Sequence, residues 1–476
     1  MRTWRARWCG LLFSLLVAML GPAAPRTAAA VVVEITPADD FETAANALGP
    51  GDELVLGGGT YGLFGVTSLT ASGTAGNPIV IRAKAGETPI LQATPAQDVL
   101  TVSGAHLRFE GLEITGGVRG IRLLAGADFV SIRSCFLHDL SSAGIVANDP
   151  GAEYAGLEVL DSEIGPVGGE GISFGCNVDD CRVAGARIER NYVHHASGGA
   201  SIEGIEVKVG SSGFDVLDNV VTHTDAACIA VGGTLGHGSV HLVEGNAMWA
   251  CGDDGLQLTA DVVARNNVVS GVAGSGIRIG ASQGALPDAV DVVHNTVTVP
   301  LGAALRLNVS TGDVVVANNA LYALTDGVAL IVQAGSSGFR IENNVGQGFA
   351  LGIVSGFDGS GSLASDFVDA SVIGEPPNDL FPAPGSALID AAGAADAPVE
   401  DFNRTARTSP HDVGAYEFDP TGNPGWAFEA GFKSVPEPDA GSALAIGVGA
   451  SALLATRRRR LTACASSAPP RISSFV

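Results

Sequence analysis

Basic side chains are what this chain has least of. Its 476 residues carry 26 Lys plus Arg against 50 Asp plus Glu, and only Lys84, Lys208 and Lys433 are lysines. With the two ends set aside, residues 31 to 438 keep 17 basic and 49 acidic residues, a net charge near −32. That balance counts against nucleic acid and anionic membrane surfaces as partners, and against acidic uronates unless calcium bridges them. No nucleophile elbow, P-loop or dinucleotide fingerprint is present, so the chemistries those motifs support have no carrier here. His194, His195 and His223 are spread over turns and make no metal signature. What the chain does have is 46% hydrophobic residues, 16% charged residues and 65 glycines, the composition of a turn-rich β protein.

From His106 to Gly356 one short pattern recurs: alternating apolar residues, two spacers, an Asn, then Gly and an aliphatic residue about nine positions on. Leu112, Cys135, Ser162, Asn191, Asn219, Asn246, Asn267, Asn295, Asn319 and Asn344 occupy the slot, 21 to 29 residues apart. Gly120, Gly144, Gly171, Gly204, Cys228, Gly255, Gly276, Ala304, Ala329 and Gly352 form a second mark that keeps step with it. A period in the twenties built of strands of three to five residues leaves no room for a crossover helix. One rung of a parallel β-solenoid fits, with residues such as Val216 and Ile205 buried and rungs pairing about 4.8 Å apart. Asn stacked at the turn can bridge rungs through its side-chain amide and tolerates left-handed backbone angles. Gly at the second mark permits the next corner.

With these repeats the chain resembles the right-handed parallel β-helix proteins over roughly residues 31 to 417. The resemblance implies an all-β, single-stranded, right-handed solenoid of about ten clear rungs plus capping rungs. Residues 31–105 are predicted to hold an N-terminal cap and the first rungs, with a helix around Phe41, Ala44, Ala45 and Leu48 sealing the open end. Gly73 to Leu91, G-T-A-G-N-P-I-V-I-R-A-K-A-G-E-T-P-I-L, resembles the first rungs of secreted β-helix proteins, including polysaccharide lyases of the chondroitinase B type. Residues 106–356 are the repeats. Residues 357–418 contain G-S-A-L-I-D-A, D-F-N-R-T-A-R and H-D-V-G-A-Y-E, which resemble the choice-of-anchor Q module. There Asp401, Arg404, Arg407, Asp412 and Glu417 are expected to form an ion-pair network tying down the last rung, with Val413 and Tyr416 covering its core.

The two ends read as addresses. Arg2, Arg5 and Arg7, the apolar run Leu11 to Leu20 and Ala28-Ala29-Ala30 make residues 1–30 a secretory signal peptide. Residues 419–438 are a linker ending in V-P-E-P. Residues 439–460 combine an apolar stretch with Arg457 to Arg460, and 461–476 are a tail. This order resembles a sorting tail of the exosortase-processed, PEP-CTERM kind, which implies export to the surface of a Gram-negative bacterium. It also implies an exosortase-like protease as partner and a transmembrane anchor before processing, although the tail runs sixteen residues past the Arg cluster. Outside the cell, Cys176 and Cys181 are suited to a local disulfide, with a zinc site as the other reading, and Cys135 reads as a small buried hydrophobe.

Aligning the rungs by the second mark stacks their outward side chains. Glu170, Glu203, Ala227, Asp254 and Ser275 form one column; Ser173, Glu206, Ala230, Gln257 and Arg278 a second; Gly175, Lys208, Gly232, Thr259 and Gly280 a third. Large polar groups around a floor of small residues suit an extended glycan, with Glu170, Glu203, Gln257, His223 and His237 as binding candidates. The Glu206-Val207-Lys208 segment resembles the lysine-bearing rung of chondroitinase B-type lyases, which would make Lys208 the base of a β-elimination. The Arg expected on the next rung is absent, and Arg278 lies farther off. Lys208 paired with Glu206, Glu203 or Asp254 is the plain structural alternative. Asp253 and Asp254, following Gly236 to Ser239, resemble a polygalacturonase constellation in reversed order. With Glu203, the same two Asp would also make a calcium site. The partner is therefore read as an extracellular polysaccharide, with a lyase, a glycoside hydrolase and a non-catalytic surface rod all open.

Overall fold

A computed structural model describes residues 30–434 except 325, 373, 374 and 377. The chain coils into a parallel β-solenoid of about 11 turns whose strands line up in three long sheets of 13, 12 and 13 strands. One turn shows the plan. Asp215–Leu217 lies in the first wall, Val220–Thr224 in the second and Ile229–Val231 in the third; His241–Glu244 then opens the next turn. Val216 pairs with Val243, and Ile229 with Leu256, so like positions stack directly. Their side chains point inward, and Val216, Val221 and Ile229 join one core running the length of the rod. Short strands suffice because each gains its hydrogen bonds from the turns before and after it.

The Asn column stands between the first and second walls. Asn191, Asn219, Asn246, Asn267, Asn295 and Asn319 each donate from Nδ2 to Oδ1 of the next Asn at 2.9–3.0 Å, ending on Asn344. Each backbone N–H also donates to that next Oδ1, as Asn219 N does to Asn246 at 2.9 Å. Ser162 continues the column by accepting from Cys135 N and donating N–H to Asn191 Oδ1. The left-handed angle, however, falls one residue earlier than the sequence reading placed it. Asp161, Arg190, Asp218, Asn266, His294, Asn318 and Asn343 all have φ between 51° and 58°, so the neighbour turns the corner and the slot residue bonds.

The glycines of the second mark also have a different cause from the one expected. None of them but Gly352 has positive φ. A Cβ added at Gly204, Gly255 or Gly276 would lie 2.1–2.3 Å from the methyl of Val221, Val269 or Val297. Close packing inside the coil, rather than a corner, demands the small residue.

At the N-terminal end, a helix spans Phe41–Asn46 and buries Phe41 and Ala45 against the first turns. Asp40 caps it, accepting from Thr43 N at 3.0 Å. The C-terminal segment does not close the far end. It folds back along the outer side of the second wall, where Phe381, Phe402, Val413, Tyr416 and Phe428 bury the outward Val220, Trp249, Val268 and Tyr322. Arg407 donates to Gly414 O and to Asn266 Oδ1, and pairs with Glu417 at 3.4 Å. Arg404 and Lys433 both pair with Asp218, five turns in from that of Asn344, and Lys433 Nζ lies 3.5 Å over the Phe402 ring. The network predicted to tie down the last rung is a lateral clasp, and Phe349, Leu351 and Val354 stay exposed at the rod's end. The expected signal peptide up to residue 29, the Val435–Pro438 motif and the apolar anchor lie outside the described residues. Among the described residues no helix is long and apolar enough to cross a membrane.

Candidate functional site

The three stacked columns all belong to the third wall. Ser173, Glu206, Ala230, Gln257, Arg278 and Arg306 are successive register partners, so the second column is continuous and extends one turn past the predicted trough. Alternation explains their direction. In Leu256–Leu258, for example, the two leucines enter the core and Gln257 faces out.

Lys208 is set among acids. Its Nζ lies 2.6 Å from Glu206 Oε2 and donates to Asn177 Oδ1 at 3.2 Å, with 12% of its side chain exposed. Asn177 comes from the loop closed by the Cys176–Cys181 disulfide, and its Oδ1 also accepts from Gln283 Nε2 at 2.8 Å. Ser173 Oγ donates to Glu206 Oε2 at 3.1 Å. Carboxylate oxygens of Glu170, Glu203 and Glu206 lie within 4.8 Å of one another. Burial, and then the Glu206 charge beside it, push the Glu203 carboxyl up to about 7. Hard oxygen donors crowded until one resists ionisation suit calcium, and these three residues would hold it.

The calcium set named from sequence is divided by the structure. Glu203 belongs with Glu170 and Glu206. Asp254 pairs with Arg278 Nε and accepts from Ser275 N at 2.9 Å. Asp253 stays beside it, its pKa raised by burial and by the Asp254 charge. His237 sits in the loop after the third wall and bonds to Asp179 Oδ2 at 3.0 Å and to Arg182, not to either of these aspartates. His223 turns a corner of the second wall, stacks on His195 at 4.7 Å and meets Glu375 at 2.9 Å. Gln257 faces out between Ala230 and Arg278.

Two features were missed in the sequence. Cys228 and Cys251 form a second disulfide, joining one turn to the next, while Cys135 is buried and free. The signal was there: Cys228 occupies a core-facing mark and Cys251 lies 23 residues on, about one repeat. Arg306, which continues the second column, was also passed over because the trough was ended at the seventh rung.

Residues 174–345 match the family model described as right handed beta helix region. No curated protein sequence matches the chain. Among solved structures, the A-module of the mannuronan C-5 epimerase AlgE6 from Azotobacter vinelandii superposes with a TM-score of 0.51 at 16% identity, over 67% of this chain and 95% of that one. The pectate lyase Pel9A gives a TM-score of 0.45 at 17% identity, over 82% and 96%. A mannuronic acid-specific family 6 polysaccharide lyase from human gut microbiota gives 0.42 at 17%, over 69% and 90%. These likenesses concern the fold, and together with the observed register they make the repeat region a right-handed parallel β-helix.

Proposed function

We propose that this is an exported, acidic β-helix protein that holds an extracellular polysaccharide along its third wall, anchored at the cell surface or released after exosortase-like processing. The observation that carries the reading is the outward column set itself: polar groups at both ends and Ala227, Ala230 and Gly232 between them, beside the loop whose Asn177 bonds to Lys208 and Gln283. Its solved neighbours include a mannuronan epimerase and polysaccharide lyases, which supports a glycan as the ligand.

Catalysis on that glycan is the second reading, and Lys208 favours it. In a β-elimination Lys208, as the neutral amine, takes the proton from the sugar carbon next to the carboxylate, the carbon–oxygen bond to the leaving sugar breaks, the leaving oxygen takes a proton from water, and an unsaturated uronate forms. A divalent cation, when bound by Glu170, Glu203 and Glu206, would neutralise the uronate carboxylate. Glu206 orients the lysine through their 2.6 Å pair. Purified residues 31–438 mixed with alginate, pectate or chondroitin, with and without calcium, test both readings. Glycan binding with growing ultraviolet absorbance of an unsaturated product supports the lyase. Binding without product, in that assay and a reducing-sugar assay, supports a holding role, and no binding refutes both.

A further inference from the structure

We infer that Arg306 is an anion-binding residue at the far end of the third wall, taking the carboxylate of a uronate unit about four sugars away from the one over Lys208. The inference rests on the polysaccharide reading above and adds to it the charge and minimum length of the ligand. Charge accounting comes first. Sixteen other Lys and Arg side chains lie in the described residues, and each meets a carboxylate within ion-pair distance. Among the described residues, Arg306 alone has none. In so acidic a protein a guanidinium left unpaired is conspicuous, since carboxylates are in excess everywhere else.

Its position is defined. Arg306 faces outward from Ala303–Leu307, half-buried, and its Nε donates to Ser275 Oγ at 3.2 Å. That single bond fixes the stem and leaves the two terminal nitrogens without an acceptor among the described residues. Arg278, directly before it in the column, is neutralised by Asp254. Beside them Gly280 lets Arg278 and the amide of Asn308 come close to the backbone, since a Cβ there would meet Arg278 Nη1 at 3.0 Å and Asn308 Nδ2 at 3.1 Å. The planar guanidinium fork suits a carboxylate.

Register then gives the span. Glu206 to Arg306 is four steps along the column, roughly 19 Å at about 4.8 Å per turn. A pyranose in an extended 1,4-linked chain advances by about as much as one turn, so a hexamer reaches from Lys208 to Arg306 and a trimer does not.

Binding of uronate trimers and hexamers to the full mature chain, alongside a carboxyl-reduced hexamer, tests this. The wild-type protein should bind the uronate hexamer about tenfold more tightly than the trimer. Arg306→Ala should erase that advantage, Arg306→Lys should restore part of it, and the reduced hexamer should never show it. A hexamer advantage that survives Arg306→Ala overturns the inference while the glycan reading stands. A wild-type protein that binds no uronate of either length removes that reading and this inference with it. Arg306 lies on the outer surface, and an unchanged circular dichroism spectrum separates lost binding from lost fold.

Discussion

Replacing Glu203 by Gln removes a carboxyl that the fold holds at about 7, against 4.5 for the free side chain. Between those two values the unfolded chain ionises this group while the folded chain keeps its proton, so the stability of that turn falls as the pH rises. Above about 7 the whole cost is present: about 2–3 kcal/mol, after allowance for solvent reaching a half-buried group. Glutamine carries no such cost. Amide hydrogen exchange in Ile205–Val207, which reports opening of that turn, should therefore show no gain for Glu203→Gln well below pH 4.5. The gain should approach 2–3 kcal/mol well above about pH 7. Calcium should reverse the ranking at the alkaline end, protecting the wild type and not the variant, because Glu170, Glu203 and Glu206 would share the ion. An equal difference between variant and wild type at both ends of the pH range would refute the reasoning, since the ionisation of Glu203 against its burial and the Glu206 charge is what changes with pH.

Other perturbations read other parts of the molecule. Lys208→Met should abolish unsaturated product if the protein is a lyase, or weaken glycan binding about tenfold if it only holds the chain, with circular dichroism unchanged in both cases. Asn246→Ala takes the side-chain partner from Asn219 N and from Val216 O, both buried, while Asn219 Nδ2 keeps Ile188 O, and at about 1–3 kcal/mol per orphaned group should cost about 2–6 kcal/mol, seen as a lower thermal midpoint. Lys433→Ala leaves Asp218 with Arg404 alone and withdraws the donor to Gly245 O and Phe402 O. A loosening of about 3–5 kcal/mol should appear as faster proteolytic release of the C-terminal segment and a red shift in tryptophan emission as Trp249 is uncovered.

Much of the solenoid was legible because its repeat is written in single letters. An Asn that bonds to the Asn of the next turn has to recur at one position, so Asn191 to Asn344 announce both period and register. From the register the outward columns follow without coordinates. What failed was assignment of cause. Asn tolerates left-handed angles, yet Asp218 and its equivalents take them, since the slot residue must aim its amide along the column. The placement of the C-terminal segment was harder. Its residues Asp401 to Glu417 gave no hint of which wall they cover, and the cue lay elsewhere. Ala247–Cys251 is apolar on both faces, Met248 toward the core and Trp249 outward, the pattern of a strand buried on two sides. Among the site residues, adjacency along a column was readable, but the pairing of Asp254 with Arg278 across one turn was not, because two columns differ in depth as well as in register.

The three walls differ in what they leave for a ligand. On the first, acids and bases answer one another across turns, as in Arg82–Glu53 at 2.9 Å, Arg133–Glu158 at 2.6 Å and Arg265–Glu244 at 2.8 Å. A glycan there would have to displace bonds already made, with little net gain. The second wall is closed over its later turns by the C-terminal clasp. On the third, a carboxyl held near 7 stands at one end and, among the described residues, an arginine without a carboxylate at the other. The clasp matters to function for that reason: it packs on Val220, Trp249, Val268 and Tyr322 of the second wall and not on the third-wall columns. The opposite charges at the two ends then give an anionic chain a preferred placement, with one carboxylate on Arg306 and another brought to Lys208.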